Sequence, residues 1–171
     1  AEPHNYRRIT LSDRPDSLSC LREIMRTAGI DLVALAPGAH MAWLLDVRPH
    51  GDERPCIALI SRDREAFLMP ALEADSAREQ TDMAFYKWAD ADGPDAALAQ
   101  LLGDFCAGSF SALVLDECMR ADPAALITDA LPGAARHFTA ATIGALRMRK
   151  EDGEYRTLKA NATQADTAML M

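Results

Sequence analysis

The sequence predicts an α/β fold, a mixed β-sheet flanked by helices. Three observations predict it. Short apolar runs of strand length recur along the first 146 residues, each bounded by turn signals. Two of the early runs flank a charged turn, as in an antiparallel hairpin. The later runs alternate with segments of helical period, the pattern of parallel strands joined by helical crossovers.

Each element has a local reason. In "PDSLSCLREIMRTAG", Leu18, Leu21, Met25 and Ala28 share one helical face; Asp16 or Ser17 can cap its start, and Gly29 supplies a left-handed exit. "IDLVALA" follows as a strand, and "PGA" separates it from "HMAWLLDV", read as a second strand. In a strand from His40 to Val47, Met41, Trp43, Leu45 and Val47 face the core, while His40, Ala42, Leu44 and Asp46 share the other side. "CIALISRDREAFLMP" is the hairpin, turning at Arg62 to Glu65, and "ALEADSARE" is a short helix. "MAFYKW" is a strand whose Phe85, Tyr86 and Trp88 alternate between core and covered surface. "DADGPDAALAQLLGDF" is a helix begun by Pro94. "ALVLDE" is a strand, and "ADPAALITDALPGA" is a helix capped by Asp122 and ended at Pro132–Gly133. "RHFTA" is a brief strand, and "TIGALRM" leads into the last helix.

That last helix starts near Glu151, where Tyr155, Leu158, Ala162, Ala165 and Met169 make an apolar stripe. No Gly, Pro or cationic turn closes it. The expected organisation is one compact domain over 1–146, then 147–171 as a separate linker and helix. The polar opening is unlike a signal peptide, and its lack of an initiator Met predicts processing or trimming at the front.

Composition excludes several function classes. The chain has 171 residues, 49% hydrophobic and 26% charged, enough apolar material for a proper core and not the usage of a disordered chain. A net charge of −8 disfavours nucleic acid and anionic membrane surfaces, which are bound mainly through Lys and Arg. No apolar run reaches the roughly 18 residues of a membrane span. Cys20, Cys56, Cys106 and Cys118 form no C-x-x-C pair, and they read as reduced, largely buried thiols of a cytoplasmic protein.

The search for chemistry inside the domain comes up thin. Dinucleotide, P-loop, nucleophile-elbow and H-E-x-x-H motifs are all missing from the sequence. Asp116 and Glu117 close a strand, a common place for active-site groups in open sheets. With no partner His evident, they read as a solvated acidic turn. His40 and His50 read as loop residues, since "HGDERPC" lacks zinc-ligand spacing.

Longer stretches carry a resemblance. "LPGAARHFTAATIGALRMRKEDGEYRTLKANA" resembles the segment joining the N-terminal domain of creatinase and Xaa-Pro peptidases to their metal-binding pita-bread domain. Arg147, Met148, Lys150, Glu154 and Ala160 or Ala162 match its junction pattern, although Arg149 stands where an apolar residue is usual. "ERPCIALISRDREAFLMPALEADSARE" is similar to the family's strand–turn–strand and short helix. "HMAWLLDVR" looks like its signature strand, nearer the aminopeptidase P flavour than the prolidase one, with Leu45 and Asp46 in place of Thr-Gly.

The resemblance implies a creatinase-type N-terminal domain of ribonuclease H-like topology, with residues 147–171 leading into a catalytic domain absent from this chain. In the family that domain binds two divalent metal ions, manganese, cobalt or zinc, through two Asp, one His and two Glu. The resemblance gives this chain no catalytic and no metal-ligating residue. It implies a domain that roofs the active site, restricts substrate size and supports a homodimer, with short proline-containing peptides as the parent's substrates. Trp43, Asp46 and Arg48 are then candidates for substrate capping or the interface, and Arg147, Lys150 and Glu154 for the interdomain linker. Within the same fold, the alternatives are a creatinase-like C–N hydrolase of small molecules or a stand-alone ligand-binding or regulatory module. A ribonuclease H-like hydrolase would need more converging carboxylates than Asp46 and Asp116, and a basic face.

Overall fold

The computed structural model of the chain describes residues 17–106, 108–150 and 152–170. The polar opening with Asp16, the expected helix start at Glu151, and Met171 lie outside the described residues. Strands β1 (Leu32–Leu35), β2 (Ile57–Ser61), β3 (Glu65–Pro70), β4 (Ala84–Trp88), β5 (Ala112–Leu115) and β6 (Ala135–Phe138) form one sheet in the order β4-β3-β2-β1-β5-β6. β2 runs antiparallel to both β1 and β3, while β3–β4, β1–β5 and β5–β6 are parallel. This is the mixed sheet the sequence predicts. The strand order reverses between β1 and β5, whose carboxyl ends therefore leave a crevice.

Helices cover both faces. They are α1 (Ser17–Ala28), α2 (Ala39–Leu45), α3 (Ala71–Arg78) and α6 (Ile143–Met148) on one face and α4 (Asp95–Phe105) and α5 (Ala121–Ala130) on the other; α7 (Asp152–Met169) follows outside these layers. Alternation along the strands splits the core in two. Val33, Leu35, Ala58, Ile60, Phe67, Met69 and Val114 meet Leu21 and Met25 of α1, Met41, Leu44 and Leu45 of α2, and Ile143 of α6. Leu32, Ala34, Ile57, Leu59, Leu68, Leu113 and Leu115 meet Leu98, Leu101 and Leu102 of α4 and Ile127 of α5. Central strands buried on both faces read as unbroken apolar runs, as "LVAL" and "IALI" do. Phe85 stacks on Phe67 with centroids 5.5 Å apart, and Trp88 joins the opposite core, so the aromatic cluster divides as its alternation requires. Gly29 leaves α1 at φ 71°, the left-handed exit expected of it.

Several expectations are corrected. "HMAWLLDV" is not a strand: Ala39–Leu45 is helix α2. Its apolar positions satisfy both periods, since Met41, Leu44 and Leu45 follow the i, i+3, i+4 rule as well as Met41 and Leu45 follow alternation. The sheet decides between them, because β1 already pairs with β2 on one side and β5 on the other, leaving no slot for a strand at this point. The core face is accordingly Met41, Leu44 and Leu45 with Val47, while Trp43 is only half-buried. Helix α5 starts at Ala121 with Arg120 at the N-cap position, and Asp122 lies in its first turn instead of capping it. "TIGALRM" forms a helix of its own, α6. Of the four free thiols, Cys56 alone is buried; Cys20 and Cys118 are exposed. No described helix is long and apolar enough to cross a membrane.

Helix α7 carries the stripe read from the sequence, and none of its described residues is buried. Tyr155 is 60% exposed, Leu158 53% and Met169 87%, so the stripe faces solvent in this chain.

Candidate functional site

Three elements converge at the carboxyl end of the parallel strands. β5 ends into Asp116 and Glu117, β6 ends into Thr139, and α2 brings His40 alongside both. Asp116 is buried and its Oδ1 accepts the Cys118 N–H at 3.0 Å, forming a turn that fixes Glu117 beside it. Thr139 is fully buried, and its hydroxyl donates to Glu117 Oε2 at 2.5 Å while its backbone N–H donates to the same oxygen at 3.2 Å. His40 Nε2 lies 3.1 Å from Thr139 Oγ1, and His40 Nδ1 lies 3.0 Å from Arg147 Nη1.

Donor and acceptor chemistry orders this chain of contacts. A guanidinium N–H can only donate, so His40 Nδ1 must be the acceptor and carry no proton. The ring proton then sits on Nε2 and donates to Thr139, whose own proton is given to Glu117. The result is a one-way relay, Arg147 to His40 to Thr139 to Glu117, spanning α6, α2 and the ends of β6 and β5. Burial pushes the Glu117 carboxyl up, but the Thr139 hydroxyl and the Glu117 and Thr139 backbone N–H groups outweigh it and leave it below the usual carboxylate range.

His40, Asp116 and Glu117 offer three ligand atoms within 4.8 Å of one another. Both nitrogens of His40 and Oε2 of Glu117 are already engaged, so a metal ion would have to break the relay to bind. The donor set does not fit a resident metal.

The sequence-named residues fall into two groups. Trp43 Nε1–H donates to Glu154 Oε1 at 3.1 Å, and Lys150 Nζ donates to the Arg147 carbonyl, so Trp43 of α2 meets the α6–α7 segment directly. Arg147, through His40, and Glu154, through Trp43, thus connect that segment to α2, while the Lys150 bond stays within the segment. Asp46 and Arg48 stand apart at the other end of α2, 4.0 Å from each other, with the Arg48 side chain 70% exposed. Asp46 is the left-handed C-cap of α2 at φ 54°, a conformation that short polar side chains tolerate better than others.

Sequence reasoning missed His40, Thr139 and Glu117. His40 lies on a helix, not in a solvated loop; of the expected solvated acidic turn, Glu117 is exposed as read, but Asp116 is buried. His40 and Thr139 are 99 residues apart, and no local motif encodes such a meeting.

Beside the relay, the crevice at the β1–β5 reversal is a pocket of about 180 Å³ whose lining includes Ala36, Pro37, Arg54, Cys118, Arg120 and Pro123. Its guanidiniums are balanced within the chain: Arg54 pairs with Asp52 at 2.9 Å and Glu73 at 2.6 Å, and Arg120 with Asp122 at 3.1 Å. The Cys56 thiol in its wall is pushed up to about 12 by burial, and the charges of Glu73 and Asp52 add to the effect, so it is inert as a nucleophile.

Solved structures share the fold. A recombinant prolidase from Thermococcus sibiricus superposes with a TM-score of 0.79 at 19% identity, over 90% of this chain and 42% of its own. A dipeptidase from Pyrococcus horikoshii OT3 gives 0.68 at 23% identity, over 80% of this chain and 38% of its own. The Creatinase/Prolidase N-terminal domain of an X-Pro dipeptidase from Streptococcus pyogenes gives 0.61 at 13% identity, over 71% of this chain and 91% of its own. The chain therefore spans about two fifths of the length of the first two. No curated protein sequence matches it. The family profile described as Creatinase/Prolidase N-terminal domain matches residues 18–149, most of the chain, and the chain belongs to that family.

Proposed function

We propose that this chain is the non-catalytic N-terminal domain of a dimetal Xaa-Pro dipeptidase- or aminopeptidase P-like hydrolase. The observation that carries the reading is the family match over 18–149, ending where α6 gives way to α7. The parent's metals would be two divalent ions, manganese, cobalt or zinc, held by a catalytic domain beyond this chain, and its substrates short proline-containing peptides. In that setting residues 1–146 roof the active site, restrict substrate size and support a homodimer. Residues 147–171 form the linker and the first helix of the catalytic domain. The solvent-facing stripe of α7 supports this, since apolar side chains at helical spacing need a partner surface. Trp43, Asp46 and Arg48 remain the candidates for the substrate-facing or subunit-facing edge; the exposed Arg48 guanidinium suits a peptide carboxylate or a partner's acidic group. Four free thiols agree with a cytoplasmic site of action.

The test is direct. The purified chain, supplied with manganese, is expected to release no amino acid from Xaa-Pro peptides, whereas a longer product of the same gene should do so. Activity of the chain alone that is abolished by chelator and restored by manganese would overturn the reading.

A further inference from the structure

We propose that His40 is a proton-operated latch on the α6–α7 segment: neutral, it holds Arg147 through its bare Nδ1, and protonated, it lets Arg147 go. The latch rests on the relay geometry and does not depend on the proposed peptidase function. Arg147 Nη1 lies 3.0 Å from Nδ1, a distance at which a second proton has no acceptor to meet. Protonation puts an N–H on Nδ1 facing a guanidinium N–H and places two like charges in contact. The other side of the ring changes little, because Nε2–H donates to Thr139 in either state.

Charged groups approach His40 from several elements. At the end of β5, Asp116 and Glu117 approach the ring within 4.8 Å and can hold the imidazolium once it forms. From α6, Arg147 is the cation that must leave. Helix α1, which also packs on α2, directs its cations elsewhere: Arg22 pairs with Glu65, and Arg26 lies 3.7 Å from both Glu23 and Asp63. On α7, Glu154 meets Trp43, and between α6 and α7 Lys150 is held by the Arg147 carbonyl. Proton uptake by His40 therefore loosens the segment through Arg147, and the Trp43–Glu154 contact reports the loss.

Two readouts on the intact chain test the latch. Nitrogen-15 NMR of the imidazoles at pH 8 is expected to show His40 with its proton on Nε2 and none on Nδ1. Trp43 emission is expected to shift to the red on acidification, in step with the appearance of a proton on His40 Nδ1 in the same NMR series. Trp88, buried and hydrogen-bonded to the Pro55 carbonyl at 3.0 Å, supplies a constant background. The shift should vanish in His40→Gln, which cannot take up a proton, and persist in Glu154→Gln, which removes the titrating carboxylate bonded to the Trp43 indole. Should His40→Gln fail to fold, Arg147→Gln should already show the red-shifted emission at pH 8 with no further change on acidification. A proton on Nδ1 at pH 8, an emission that ignores the His40 titration, or an equal shift in His40→Gln would each overturn the proposal.

Discussion

Replacing Phe67 by Ala is expected to cost about 3–5 kcal/mol of stability, the upper end for truncating a single buried side chain. Phe67 is fully buried in the central hairpin strand β3, stacked on Phe85, and it lies in the core layer that also holds α1, α2 and α6. Truncation removes the transfer energy of the ring and leaves a cavity that neighbours pinned in adjacent strands cannot fill. For a chain of this size the loss lowers the thermal midpoint on the order of 10 °C. Phe67→Leu keeps most of the volume and should lose much less. Thermal and denaturant unfolding of both variants measure this. A Phe67→Ala loss below about 1 kcal/mol would mean that β3 is not packed as described.

The second large effect is expected at Thr139. Valine there keeps the shape and the β-branch but removes the hydroxyl that joins His40 to Glu117. His40 Nε2–H then faces a methyl group, and Glu117 keeps only the Thr139 backbone donor of the two. Thr139 is buried but Glu117 is exposed and His40 half-buried, so solvent discounts the penalty for a half-made contact and the loss is expected near the low end, about 1 kcal/mol. The loss should depend on pH with a definite sign. Glu117 is held below its ordinary value of 4.5 in the folded chain, so its contribution is present above that pH and disappears as acid protonates the folded carboxylate. The difference between wild type and Thr139→Val is therefore expected to be full at pH 7 and to narrow below pH 4.5. Denaturant unfolding across that range measures it. A gap that stays constant down to pH 3 would show that the hydroxyl acts through packing alone.

How far the sequence foretells the structure depends on the distance over which each feature is encoded. The hairpin over Ile57–Pro70 is local: two apolar runs about a turn in which Ser61 Oγ accepts the Arg64 N–H at 3.0 Å. The exit of α1 at Gly29 is local too, as is the start of α4, where Pro94 sits one place earlier than expected, at the N-cap position. Helix α2 reads as a strand in the sequence because a seven-residue apolar stretch fits both periods, and only the filled places on either side of β1 decide. The relay is the opposite extreme. Its members come from α2, the ends of β5 and β6, and α6, with Arg147 and His40 separated by 107 residues. Glu117 and His40 each look like an ordinary solvated residue until the sheet order sets β5 and β6 next to the start of α2. The linker residues Arg147 and Glu154 are readable from their family pattern, but their partners His40 and Trp43 are not.

On the proposed reading, the apolar stripe of α7 packs against a surface that the described domain does not supply. Its described residues are all at least partly exposed, and an isolated helix of 18 residues is marginal in water. Two conditions could order it: docking of the stripe on a second copy, or a catalytic domain attached beyond it. Hydrogen exchange on the dilute, proven monomer addresses this most directly. The account predicts weak protection over Leu158 to Ala168, rising with protein concentration or in a longer product of the gene, while β1, β2 and β3 stay fully protected throughout. Strong, concentration-independent protection of Leu158 to Ala168 in the monomer would show that α7 packs on its own domain, and would contradict the claim.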